Sequence, residues 1–147
     1  MKENHVRIIG MAMVVVGLMF SVHSLFSVRF DPNPSVWFSA SYYVQFIPLY
    51  IAVTFLLCGL FVVLGYSHVN VYLAVFGHAT SEEILFSLIG LTTSPLPVYA
   101  MVIFLPFSFL ALWVAYMNTL EKKPVSVVEA IFGIVFSTAF IILPRYM

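Results

Sequence analysis

The sequence predicts an all-α fold, a polytopic bundle of transmembrane helices, and three observations carry that expectation. Hydrophobic residues make up 63% of the chain and charged residues only 8%, whereas about a quarter of a soluble domain is charged. The six basic and six acidic residues cancel and could not solvate the surface of a globule this size. They are also gathered into a few short clusters, and the uncharged runs 8–28, 32–81 and 84–120 between them reach or exceed the roughly 20 residues that a helix needs to cross a bilayer. A soluble enzyme, a disordered tail and a secreted disulfide scaffold are thereby excluded.

The first span is expected at residues 8–28, which carry no formal charge. Lys2 and Arg7 before it imitate a signal peptide. The apolar run exceeds the roughly 7–15 residues of a secretory core and ends at no convincing small-x-small site, so it reads as an uncleaved helix. The second span, residues 44–64, follows the turn Asp31-Pro32-Asn33-Pro34 and a collar of Trp37, Phe38, Tyr42 and Tyr43, aromatic residues suited to the headgroup layer. The third span, 96–117, has Tyr99 near one end and Trp113 and Tyr116 near the other. Pro106 sits in its middle and should release the carbonyl of Val102. The fourth span, 125–143, is introduced by Lys122-Lys123-Pro124, with the proline in a helical first turn, and closed by Pro144-Arg145.

Residues 71–93 are ambiguous. The apolar stretches 71–77 and 84–91 flank the polar run His78-Ala79-Thr80-Ser81-Glu82-Glu83, and each reaches only about 10–12 Å as helix. Thr80 and Glu83 stand in capping-box spacing, which predicts a helix start near Ser81 and a helix to about Thr93. The segment then lies in the interface, re-enters, or forms half of a broken fifth span. With four crossings the positive-inside rule gives a tie. With five, Lys2, Arg7, Lys122 and Lys123 oppose Arg29 and Arg145 and favour a cytoplasmic N-terminus. The architecture is similar to that of small bacterial inner-membrane proteins, which gives the bacterial inner membrane as the expected compartment. The whole of 1–147 reads as one membrane domain.

Small residues mark faces where helices approach closely in lipid. Gly10, Gly17, Ser21 and Ser24 share one face of the first span; Ser126, Ala130, Gly133 and Ser137 share one of the fourth. Thr54, Cys58 and Gly65 do so more loosely in the second.

Ionisable groups at membrane depth are the candidate functional residues: Glu82, Glu83, Glu129, His78 and His23. His78 and Glu82 are four apart and on continuous helix would share a face, able to bind a metal or pass a proton. The capping box argues for a solvated turn instead. Glu129 reads either as an ion site facing the bundle or as an interfacial carboxylate paired with Lys122 or Lys123. His23 has Ser21 and Ser24 beside it as hydrogen-bonding partners. Gln45 and Pro48, with Tyr42, Tyr43 and Tyr50, could line a polar vestibule.

No Lys/Arg cluster exceeds a pair, so nucleic acid is not an expected partner. The lone Cys58 can form no intrachain disulfide, and no CxxC, HExxH, phosphate loop or nucleophile elbow is present. The leading expectation is a non-catalytic accessory or assembly subunit, packed against partner helices or copies of itself, with the lipid bilayer as its other partner. A small proton-coupled carrier is the alternative. A haem- or metal-binding oxidoreductase subunit, using His23 and His78, is the third; otherwise no cofactor is expected.

Overall fold

The computed structural model describes residues 3–146; Lys2, used above in the charge count, lies outside them. The described residues form helices α1 (Glu3–Ser27), α2 (Ala40–Val44), α3 (Ile47–Leu64), α4 (Val69–Leu88), α5 (Val98–Met117) and α6 (Val127–Tyr146), with a 3-10 turn at Val36–Phe38. Long helices are the economical answer to an apolar solvent, because each satisfies its own backbone donors and acceptors. Four segments are long and apolar enough to cross a membrane: Asn4–Ser27, Tyr42–Leu64, Val98–Met117 and Val127–Tyr146.

The ambiguous segment is a single unbroken helix, α4, and not the broken element that the Thr80/Glu83 capping box predicts. The box fails because residues 71–77 ahead of it are apolar and already helical. A helix start at Ser81 would strand backbone groups inside the bundle, where each costs several kcal/mol. Both glutamates, moreover, find partners on another helix. The helix ends at Leu88 and not near Thr93, turned by Gly90 in the left-handed region (φ 76°).

α4 rises about 30 Å and is the most enclosed of the long helices. Eleven of its twenty residues are buried against three of twenty in α6, because α3, α5 and α6 all pack on it. Its polar residues thus face protein and not lipid, which is why it lacks the hydropathy of its neighbours. Successive long helices alternate in direction. Gly10 near the start of α1 meets Gly59 and Val63 near the end of α3; Asn70 at the start of α4 meets Asn118 just after α5; Arg145 in the last turn of α6 meets Glu83 towards the end of α4. One face of the bundle, here the N-face, therefore gathers the start of α1, the α3–α4 turn and the α5–α6 loop. The far face gathers the α1–α3 and α4–α5 connections and the end of α6.

α1 lies on α3 at backbone contact. A Cβ on Gly17 would sit 2.7 Å from Leu56 Cα, and one on Gly59 would sit 2.8 Å from the Gly10 carbonyl oxygen, so the expected Gly10/Gly17 face is a packing face with Gly59 as its partner. Ser21 and Ser24, on the same side, are buried. Gly133 departs from the expectation: its nearest neighbour, Val75 Cγ2, would be 3.7 Å from an added Cβ. Gly65 caps α3 in the left-handed conformation (φ 65°) and makes no tight contact. Gly77, absent from the sequence expectation, is the close contact of α4 with α5: a Cβ on it would sit 2.9 Å from the Ser108 carbonyl oxygen. Phe55, Phe76 and Phe104 fill the centre, with ring centroids 5.0 Å apart for Phe55–Phe76 and 5.5 Å for Phe55–Phe104.

The ends are fastened by polar clasps. Asn70, fully buried, donates to Asn118 Oδ1 (2.6 Å) and to the Lys123 carbonyl (3.0 Å) at the N-face. At the far face Gln45 accepts from the Arg29 amide (2.9 Å) and donates to the Arg29 carbonyl (3.2 Å), so it pins the α1–α3 loop where a vestibule is expected. Tyr50 stacks on Phe140 of α6, with centroids 4.2 Å apart. The fourth span begins at Val127, so Pro124 precedes the helix and Ser126 caps it. α5 continues through Pro106 as one helix.

Candidate functional site

The sequence of α4 sets the site. His78 lies about 14 Å along the helix from Val69 and about 15 Å from Leu88, at its midpoint. With α4 continuous, the i,i+4 spacing puts His78 and Glu82 on one face. His78 Nδ1 is 3.7 Å from Glu82 Oε1, and both side chains are largely covered, at 17% and 15% exposure. The solvated turn expected here is replaced by an acid–imidazole pair deep in the bundle.

Two helices complete the pair. Tyr116, the penultimate residue of α5, places its hydroxyl 2.7 Å from His78 Nε2, so the imidazole is held from both ring nitrogens. On α6, Thr138 donates to Glu82 Oε2 at 2.8 Å, and Ser137 Oγ lies 3.1 Å from each carboxylate oxygen. Ser137 comes from the small-residue face of the fourth span, which brings α6 close enough for a hydroxyl to reach the acid.

Glu83 points to a different side, about 100° around the helix from Glu82. It has no exposed surface and takes both its hydrogen bonds from Arg145 Nη2, at 2.7 and 2.9 Å. Arg145 also donates to the carbonyl oxygens of Ile141 and Thr93, so the guanidinium ties α6, α4 and the α4–α5 loop together. A buried carboxylate needs such a partner to remain charged. Polar groups therefore follow one another along the α4–α5–α6 interface from Tyr116, at the N-face end of α5, through His78, Glu82, Ser137 and Thr138, to Glu83 and Arg145 near the far face.

Glu129 does not join them. It sits in the first turn of α6 and forms a reciprocal capping box with Ser126: its carboxylate accepts from the Ser126 amide (2.9 Å) and hydroxyl (2.8 Å), and its own amide donates to Ser126 Oγ (3.2 Å). Lys123 Nζ lies 3.3 Å away, so of the two expected roles the structure has the interfacial ion pair. His23 is exposed on α1, 3.1 Å from the Tyr99 hydroxyl. His78 is bonded to Tyr116, 17 residues further along α5, a rise of about 26 Å. The two histidines proposed as a ligand pair thus bond different tyrosines of α5 and share no partner. Among the described residues no three His, Cys, Asp or Glu side chains converge on a point.

Tyr116, Thr138 and Arg145 belong to the site but were not singled out for it from the sequence. Tyr116 reads as a belt aromatic and Arg145 as a span terminus, and both are indeed at helix ends. Only the fold reveals that their side chains turn inward, 38 and 62 residues away from their partners. The chain matches no known family model, and no curated protein or solved structure is detectably similar to it.

Proposed function

We propose that the chain is a small proton-coupled membrane carrier and that His78 and Glu82 are its proton site. The observation that carries this reading is the position of the pair: an imidazole and a carboxylate 3.7 Å apart at the middle of the most enclosed helix, each with a further hydroxyl partner on a neighbouring helix. Ionisable groups are costly at that depth and serve as proton or ion sites in membrane proteins. Imidazole exchanges protons near neutral pH, its two nitrogens alternating as donor and acceptor. A proton received through Tyr116 and His78 would be passed to Glu82, whose charge Ser137 and Thr138 stabilise when it is lost again.

The accessory-subunit reading is weaker for a structural reason. It rests on small-residue faces, short polar loops and the lack of a catalytic constellation, and of those faces Gly10 and Gly17 pack against α3 and Ser137 against α4 within the chain. With five crossings the N-face carries Arg7, Lys122 and Lys123, plus Lys2 from the sequence, against Arg29 and Arg145 opposite. The positive-inside rule then supports a cytoplasmic N-face in a bacterial inner membrane.

The test is proton entry into proteoliposomes under an imposed potassium diffusion potential, read with a trapped pH dye. The wild-type chain should acidify the lumen faster than protein-free vesicles, and Glu82→Gln should return the rate to theirs. Wild-type rates equal to those of empty vesicles, or unchanged by Glu82→Gln, would refute the reading.

A further inference from the structure

α4 is covered on three sides and open on the fourth. α5 and α6 pack on it from either side and scarcely touch each other, while α3 lies behind. Helical spacing sets the open stripe: His78, Glu82 and Leu85, with Ile89 just past the helix end, recur every three or four residues and share one face. Exposure climbs along it, from the largely covered His78 and Glu82 to 40% at Leu85 and 67% at Ile89. The flanking helices bring apolar surface to its edges. Phe109 lies two turns from Tyr116 on the same face of α5, and Ile134 one turn from Thr138 on the same face of α6; both are exposed. The result is a groove between α5 and α6 that widens towards the far face, apolar along its walls, with the acid–imidazole pair at its narrow end.

The charge at that end is incomplete. Ser137 and Thr138, which hold Glu82, are neutral. The ionisable groups of the surrounding helices are engaged elsewhere. On α6, Glu129 is held by Ser126 and Lys123, Arg145 by Glu83, and the Tyr146 hydroxyl by the Leu91 carbonyl. On α5, Tyr99 bonds His23 and Tyr116 bonds His78; on α3, Tyr50 stacks on Phe140 and Cys58 is buried in the core. Among the described residues, His78 is thus the one group placed to give Glu82 a positive neighbour, and it does so only while protonated. A carboxylate in such surroundings stays charged only beside a counter-charge. With both members deprotonated, the pair is short of one positive charge.

We infer that the groove admits a lipophilic organic cation from the bilayer, and that this cation is the solute exchanged for protons at Glu82. The inference rests on the reading of His78 and Glu82 as a proton site. An inorganic cation fits poorly, because the oxygens at hand are one carboxylate and two hydroxyls, where a hard cation takes about six or more. A substituted ammonium or phosphonium ion carries its own apolar shell, which matches the groove walls, and its charge is favoured beside aromatic rings such as that of Phe109. Binding is an exchange: Glu82 releases its proton by way of His78 and Tyr116, and the cation replaces it as counter-charge, one proton out for one cation in.

Tetraphenylphosphonium is the probe, and tetraphenylborate, of the same shape and opposite charge, is the control. Equilibrium dialysis of the purified chain in mild detergent should show saturable phosphonium binding that is lost in Glu82→Gln and kept in Glu82→Asp and Glu129→Gln. Affinity should rise with pH by up to about tenfold per unit, and in weak buffer each bound cation should release about one proton. Leu85→Trp, which fills the groove beside Glu82, should weaken binding about tenfold, or about 1.4 kcal/mol. Equal binding of tetraphenylborate, phosphonium binding unaltered by Glu82→Gln, or binding that neither varies with pH nor releases a proton would overturn the inference. So would the absence of phosphonium binding; proton entry into vesicles that still required Glu82 would then leave the carrier reading standing with a different solute.

Discussion

Glu83 and Arg145 show how a residue's meaning depends on what lies opposite it. Glu83 has no exposed surface, and the guanidinium that accepts its charge is 62 residues away. Removing one member of a buried pair leaves an uncompensated charge, at a cost of about 3–5 kcal/mol. Arg145→Gln should therefore lower stability in mild detergent by that order, and Glu83→Gln introduced with it should recover most of the loss, as measured by thermal unfolding. Equal stability of Arg145→Gln and wild type would mean that the pair adds nothing to the stability of the fold. Glu129 is the contrasting carboxylate, because its work is done at the start of α6. Glu129→Gln or Ser126→Ala should cost about 1 kcal/mol and leave proton entry unchanged. Arg145 was legible as a span boundary and does lie in a terminal turn, whereas Glu129, which could have lain deeper, lies in the first turn of α6. That Arg145 reaches inward to Glu83 has no local signal, since nothing near either residue specifies the other.

At the scale of elements, one motif appears twice with opposite outcomes. Thr80-x-x-Glu83 and Ser126-x-x-Glu129 have the same spacing, yet only the second caps a helix. The difference lies in the preceding residues: an apolar run before Thr80, and Lys122-Lys123-Pro124-Val125 before Ser126. The apolar run continues a helix through the motif, whereas the charged, proline-containing loop obliges one to begin. That distinction is present in the sequence, and weighting the flanks above the spacing would have given α4 whole. The small-residue faces were more directly readable, but whether a glycine is needed depends on the distance between axes. Gly17→Ala places a Cβ 2.7 Å from the Leu56 backbone, while Gly133→Ala meets nothing closer than 3.7 Å. The first should destabilise the bundle by about 1–3 kcal/mol. The second should be neutral or slightly stabilising through helix propensity, and unfolding in detergent measures both. Similar losses at the two sites would show that α1 does not lie on α3 at backbone contact.

The described residues form a bundle of five long helices in which α4 packs against α3, α5 and α6. Composition made the membrane legible, because the uncharged runs have only one physical use at that length. The course of α4 was not legible by hydropathy, since its buried residues contact protein on three sides. The topology has a direct consequence: an unbroken α4 crossing puts the 28–39 loop and the 118–126 loop on opposite sides, whereas a re-entrant α4 puts them on the same side. In a Cys58→Ala background, Ser35→Cys and Lys122→Cys should be labelled by an impermeant thiol reagent from opposite faces of oriented vesicles. Labelling from one face would contradict five crossings. Proton uptake and release by Glu82 can be read by infrared difference spectroscopy of the reconstituted protein across a pH step. A protonated-carboxyl band is expected that changes with pH, is lost in Glu82→Gln and persists in Glu129→Gln. A difference spectrum unaltered by Glu82→Gln would contradict it.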